Sequence, residues 1–203
     1  MIVNGLIISS GYSERMGQPK PLMMYKGFPF AVQIIDKLLQ VCEKIFVVVG
    51  HDADTVKTAV ERYLTEPPLV SKQLMPFVEF VYNENYSQGM FTSLQAGLKA
   101  MNKCDHVIYH FVDQPMLPEM FYIDFAAQKD FSIDWVQPQY HELKGHPILI
   151  NSSLFKIIID SPADSNLREL ANTLNIKKKY WKCGYPEVLQ DIDTEEDYKS
   201  ITE

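Results

Sequence analysis

The sequence predicts an α/β protein, a three-layer α/β/α sandwich around a mostly parallel sheet. Three observations carry that expectation. Short β-branched apolar runs alternate with stretches whose apolar residues recur at helical spacing. Early runs of this kind end in glycine-bearing loops, IISSGYSERMG and KIFVVVGHD. No internal repeat, low-complexity tract or linker interrupts the 203 residues, so one domain spanning 1–203 is expected. A chain of that length buries roughly 70% of the surface its unfolded form exposes, and needs no covalent staples.

Taken in order, Val3 and Leu6 to Ile8 read as a buried strand. Residues 30 to 42 place Ala31, Ile34, Ile35, Leu38, Val41 and Cys42 on one helical face. KIFVVVGHD is a strand, and Asp52 or Asp54 can cap the helix that follows. In that helix Val56, Ala59, Val60, Tyr63 and Leu64 form the apolar stripe. EPPLVSKQLMP holds three prolines and no clean period, which marks a surface loop. FVEFVY is a strand, NENYSQG a turn-rich loop and MFTSLQAGLKAM a helix. HVIYHFV is a buried strand stopped by DQPMLP. WVQPQ, a strand HPILI, and helices near 152–160, 165–174 and 195–201 complete the reading.

Charge and cysteine content exclude several functions. The net charge is −7, whereas binding along a phosphate backbone needs a basic face, so no nucleic-acid partner is expected. Residues 1–26 run against that balance, with Arg15, Lys20 and Lys26 facing only Glu14. A small basic loop on an acidic chain suits a small anion. Cys42, Cys104 and Cys183 are far apart and show no metal-ligand spacing, which fits a reducing compartment. No apolar stretch reaches the ~18 residues of a membrane span and no basic leader precedes the first strand. The expectation is a cytoplasmic protein without a membrane partner.

The chemistry concentrates at two strand ends. A strand followed by a glycine loop suggests phosphate binding by backbone N–H groups. The pattern G-x-x-x-x-G-K-[ST] fails because Gln18 follows Gly17, and G-x-G-x-x-G fails because residue 13 is serine. What stands is G-x-x-x-R-M-G-x-P-K. Gly11 permits close backbone approach, Arg15 offers a planar fork of donors, and Lys20 is a compact point charge. Pro19 and Pro21 fix φ on either side of Lys20 and argue against a helix there. The plain alternative is an exposed turn with two solvated cations. Asp113 ends a buried strand, where a carboxylate suits Mg²⁺ or caps the following Asp-x-Pro turn. Asp193 precedes Thr194 and Asp197, close to a capping box, so by its place it favours a helix start.

IISSGYSERMGQPK resembles the signature loop L-A-A-G-x-S-x-R-M-G-x-P-K of the nucleotidyltransferases with the GT-A type fold, the MobA/MocA-like family. NENYSQGMFTSLQAGL, VDQPML, KGHPILI and DIDTEEDY resemble further family segments in the same order. Ser9 and Ser10 depart from the usual small pair, and Asn166 and Leu167 replace Gly-Ala in the segment DSNLREL. The resemblance implies a Rossmann-like sheet and a Mg²⁺-dependent transferase. Catalysis would rest on Arg15, Lys20 and Asp113. The nucleotide would lie on Ile8, Ser9, Ser10, Gly11, Arg15, Met16, Gly17, Lys20, Asn83, Gly89 and Ser93, although Met16 by type suits packing better. The acceptor would meet Gln114, Pro115, His146 and Arg168, and the metal Asp113 and Asp193, with Asp191 as the fallback.

The implied reaction moves CMP from CTP to a molybdopterin-type acceptor, for delivery to a molybdenum enzyme of the hydroxylase class. A guanylyltransferase, a sugar- or alcohol-phosphate nucleotidyltransferase, or a non-catalytic carrier of the cofactor are the alternatives. A carrier has no need of Arg15, Lys20 and Asp113 together.

Overall fold

The computed structural model describes residues 1–12, 16–69 and 72–202. The chain runs β1 (Val3–Ser9), a small hairpin of β2 (Met24–Tyr25) and β3 (Phe28–Pro29), α1 (Phe30–Leu38), β4 (Ile45–Val49) and α2 (Ala53–Thr65). It continues with β5 (Val78–Tyr82), α3 (Met90–Ala100), β6 (His106–Phe111), α4 (Glu119–Ala126), β7 (Trp135–Tyr140), β8 (Leu143–Lys144) and β9 (Ile148–Asn151). It closes with α5 (Phe155–Asp160), α6 (Leu167–Thr173), β10 (Lys178–Lys182) and α7 (Glu195–Thr202).

The main sheet follows the order β10-β7-β9-β6-β1-β4-β5, with β8 beside β7. β1 pairs parallel with both β4 and β6, β4 with β5, and β7 with β10. Within the main sheet, among the described strands, only β9 and β8 run antiparallel to their neighbours. The sandwich is therefore mostly parallel, as expected.

Its three layers follow from side-chain alternation. In β1, Val3 and Ile7 face a core shared with α1, α2 and α4. Leu6 and Ile8 face a second core with α3, α5 and α6. Every residue of β1 and of β4 is buried; β4 reads as an unbroken apolar run, whereas β1 also buries Asn4 and Ser9. Gly97 lets α3 lie close on the sheet, since a Cβ there would meet Leu6 Cδ1 at 2.3 Å.

Several boundaries differ from expectation. α1 stops at Leu38, and the turn that follows still buries Cys42, whose N–H donates to Leu38 O at 2.9 Å. Asp52 occupies the N-cap position of α2 in a left-handed conformation, without a side-chain capping bond. The proline-rich loop is not wholly a surface feature, because Leu69 and Leu74 insert into the core. Pro19 precedes a single 3-10 turn, Lys20–Leu22, and Pro21 lies inside it, at a first-turn position that proline tolerates. β10 and α4 carry no clear period and were not expected. Among the described residues no helix is long and apolar enough to cross a membrane.

Candidate active site

Because β1, β4, β5 and β6 point the same way, their carboxyl ends gather at one edge of the sheet. Three backbone bonds tie those ends together: Val112 N–H to Ile8 O, His51 N–H to Ser10 O, and Asn83 N–H to Val49 O at 2.9 Å. Loops beyond the carboxyl ends of parallel strands are where such sheets bind ligands. A cavity of about 470 Å³ opens there.

Of the residues expected around a nucleotide, Ile8, Ser9, Ser10, Gly11, Lys20 and Gly89 line this cavity, together with Asp113 and Asp193. Lys20 Nζ lies 2.5 Å from Asp193 Oδ1 and 3.7 Å from Asp113 Oδ2. Asp193 is delivered from far along the chain. The Ile192 N–H donates to Asp113 O at 2.9 Å, which seats the segment DID beside the end of β6. The capping role goes to its neighbours. Asp197 Oδ2 accepts from the N–H groups of Asp193 and Thr194, and Asp197 N–H donates to Thr194 Oγ1. The Asp193 carboxylate is thereby left to meet Lys20.

Asn83 and Ser93 sit beneath the cavity rather than in its wall. Asn83 Nδ2 donates to Ser93 Oγ and Thr92 Oγ1, both at 2.9 Å, and the Ser93 and Ser10 hydroxyls are hydrogen-bonded to each other at 2.6 Å. This buried network fixes the floor under Ser10. Met16 belongs to the apolar core. Gly17 is exposed with φ of +65°, a conformation that favours glycine. Arg15 lies outside the described residues.

The expected acceptor residues fall in two places. His146 and Arg168 line a second cavity of about 480 Å³, which meets the first at Gly89, Met90 and Phe111. Gln114 is buried, donating from Nε2 to Val188 O at 3.3 Å, and Pro115 O accepts from Lys37 Nζ at 2.7 Å. Gln114 and Pro115 thus hold the turn after Asp113 and line neither cavity. Asn166, which departs from the family pattern, caps α6 by accepting the Arg168 N–H at 2.8 Å.

Sequence reasoning passed over Tyr12, Tyr86 and Phe111 in the first cavity, and Trp135, Lys144, Lys178 and Tyr180 in the second. Tyr12 follows Gly11 directly, so its place in the loop was the available signal. Lys178 and Tyr180 belong to the unexpected strand β10.

Burial dominates the electrostatics. The Asp113 carboxyl is pushed up to about 6, because desolvation and then Asp191 and Asp193 outweigh the nearby Lys20 ammonium. His146 is lowered by burial, with Asp191 pulling the other way. Lys37 falls to about 8 and His110 to about 3, both by burial. Asp113 Oδ1 is buried and has no hydrogen-bond partner among the described residues. An anionic oxygen in that condition suits a cation. Among the described residues no cluster of three or more His, Cys, Asp or Glu could hold a metal unaided.

Strand ends, Gly11, Lys20 and the buried Asp113 carboxylate thus meet at one edge of an α/β sheet. The chain belongs to the MobA-like NTP transferase domain family, whose model matches residues 5–178. It is 26% identical to molybdenum cofactor cytidylyltransferase of Escherichia coli K12, across 99% of this chain and 96% of that protein. A nucleotidyl transferase from Methanothermobacter thermautotroptrophicus shares the fold, with a TM-score of 0.78 at 19% identity, covering 98% of this chain and 95% of that one. So does the Mycobacterium tuberculosis protein Rv0371C, solved in complex with manganese. Its TM-score is 0.71 at 18% identity, covering 99% of this chain and 98% of that one.

Proposed function

We propose that this protein transfers CMP from CTP to a phosphate-bearing acceptor of the molybdopterin type and releases pyrophosphate. The observation that carries the reading is Lys20 held between Asp113 and Asp193 in the wall of one cavity, with a second cavity opening beside it. The cytidylyltransferase relative supports the choice of base and acceptor.

Backbone amides of the glycine loop would receive the triphosphate, with Arg15 directed at the β- and γ-phosphates. Lys20 would neutralise charge growing at the α-phosphate. Asp113 and Asp193 would hold the divalent cation, Mg²⁺, which supplies charge neutralisation at phosphate oxygens. The acceptor would occupy the second cavity, whose wall includes Arg168, Lys178 and the Tyr180 ring, with Lys144 Nζ 4.1 Å from that ring's centroid. An acceptor phosphate oxygen forms the new bond to the α-phosphorus. The bond from that phosphorus to the bridging oxygen breaks, and pyrophosphate leaves with the electron pair. The attacking oxygen is already anionic, so no general base is required. Catalysis is positioning and electrostatics.

Thermal unfolding with CTP, GTP, ATP and UTP, each with and without Mg²⁺, tests the reading. CTP with Mg²⁺ at a hundredfold excess over its Kd is expected to add about 2.7 kcal/mol of stability. Stabilisation by GTP alone moves the base, and stabilisation by no nucleotide overturns the proposal. Lys20→Ala is expected to lose about 10²–10³ in turnover. Near-normal turnover of that variant removes Lys20 from the chemistry.

A further inference from the structure

The first cavity has two chemically different ends. Lys20, Asp113 and Asp193 make one of them. Tyr12 and Tyr86 make the other, and neither takes part in the charge network. Their ring centroids lie 5.6 Å apart with planes at 60°. His51 completes a triangle, 4.9 Å from Tyr12 and 6.2 Å from Tyr86. The His51 ring is itself steadied by Asp52, with Nδ1 at 2.7 Å from Oδ2.

This cluster has a fixed place on the sheet. A Cβ on Gly50 would meet Tyr86 Cβ at 2.5 Å and Ser10 Cβ at 3.0 Å, so Tyr86 lies directly over the carboxyl ends of β1 and β4. Asp113 follows β6, on the opposite side of β1. The cavity therefore runs from an aromatic end above β4 to a charged end above β6. Tyr12 is 46% exposed although it lines the cavity. Its contacts with His51 and Tyr86 are tilted, at 47° and 60°, so neither ring covers it face to face. A large ring held by two aromatic neighbours yet left half open is a surface prepared for a flat ligand.

We infer that Tyr12, propped by His51 and Tyr86, stacks on the base of the bound nucleotide while the phosphates occupy the charged end. This rests on the proposed nucleotide site and adds a binding residue to it. Stacking uses the ring face and not the hydroxyl, and every base has such a face. Tyr12 would thus set how tightly the base is held, and contribute little to which base is chosen.

Calorimetric titration of the wild type, Tyr12→Ala and Tyr12→Phe decides the matter. Each is titrated with CTP, GTP and inorganic tripolyphosphate in the presence of Mg²⁺. Tyr12→Ala is expected to weaken both nucleotides about tenfold, within the range for one base on one aromatic ring. Tyr12→Phe is expected to bind like the wild type, and tripolyphosphate to bind all three proteins alike. The inference falls if Tyr12→Ala holds CTP and GTP as tightly as the wild type. It also falls if that variant loses tripolyphosphate as strongly as nucleotide, since the loop rather than the ring would then be at fault. Failure of the underlying nucleotide reading looks different, because the wild type itself then binds no nucleotide. Tyr12 lies at the surface, so circular dichroism and the unfolding midpoint are expected to be unchanged in both variants.

Discussion

Asp113 is ionised at a cost. Its proton comes off near 3.8 in the unfolded chain and near 6 in the fold. Between those values the native state holds the proton that the unfolded chain has released, so this residue's contribution to stability falls as pH rises through the window. Above about 6 the penalty is fully present. Asp113→Asn removes it, and is expected to unfold about 2 kcal/mol later than the wild type at pH 8 but alongside it at pH 3. Urea titrations at the two pH values read the difference, and the same variant is expected to lose turnover. At this scale the charged residues were legible, since a cation between two prolines and an aspartate closing an apolar run are visible as letters. Asn83 and Ser93 were legible as polar residues near the site, but not as a buried pair bonded to each other. Only the packing of α3 under β1 decides that. Tyr12 gave no pattern, because one exposed aromatic residue has no period.

At the scale of elements, Val188 O is a junction. It accepts the His146 N–H at 3.0 Å and Gln114 Nε2 at 3.3 Å, joining the segment before β9, the turn after Asp113 and the 3-10 turn Pro186–Leu189. A Cβ on Gly145 would lie 2.3 Å from that same oxygen, and a backbone atom has nowhere to swing. Gly145→Ala is therefore expected to cost about 1–3 kcal/mol in chemical denaturation. It is also expected to lower turnover by displacing the segment that carries Asp193, although Gly145 lines neither cavity. The elements that eluded the sequence share a physical reason. α4 buries Phe121, Tyr122 and Phe125 but exposes Met120 at 55% and Ile123 at 45%, so its apolar residues fall on every side. β10, KKYWK, is an edge strand, and only Trp181 reaches the core side, packing on Phe121 and Phe125. The reversed direction of β9 leaves no trace in HPILI, since pairing sense is a property of two strands.

At the scale of the whole molecule, the first 26 residues of an acidic chain carry three cations, Arg15, Lys20 and Lys26, against Glu14. The surplus near the glycine loop is small beside a net charge of −7, so nucleotide affinity is expected to fall with added salt. Calorimetry at 0.05 M and 0.5 M salt checks this, and an unchanged affinity would mean that buried contacts alone hold the phosphates. The alternation of strands and helices made the layers predictable. The order of strands within the sheet was not, since it depends on which edges meet in space.

The bond between Lys20 and Asp193 joins residues 173 positions apart. During synthesis Lys20 and the strands around it leave the ribosome well before Asp193 exists. A nascent chain can thus hold the residues of β1, β4 and β6 before the Asp193 carboxylate is available to Lys20. The charge balance of the site is set only when residues beyond 190 arrive and Ile192 docks on Asp113. Completion of the site is in this way a late event in the birth of the protein, and a chain terminated before residue 190 would lack the carboxylate that Lys20 meets.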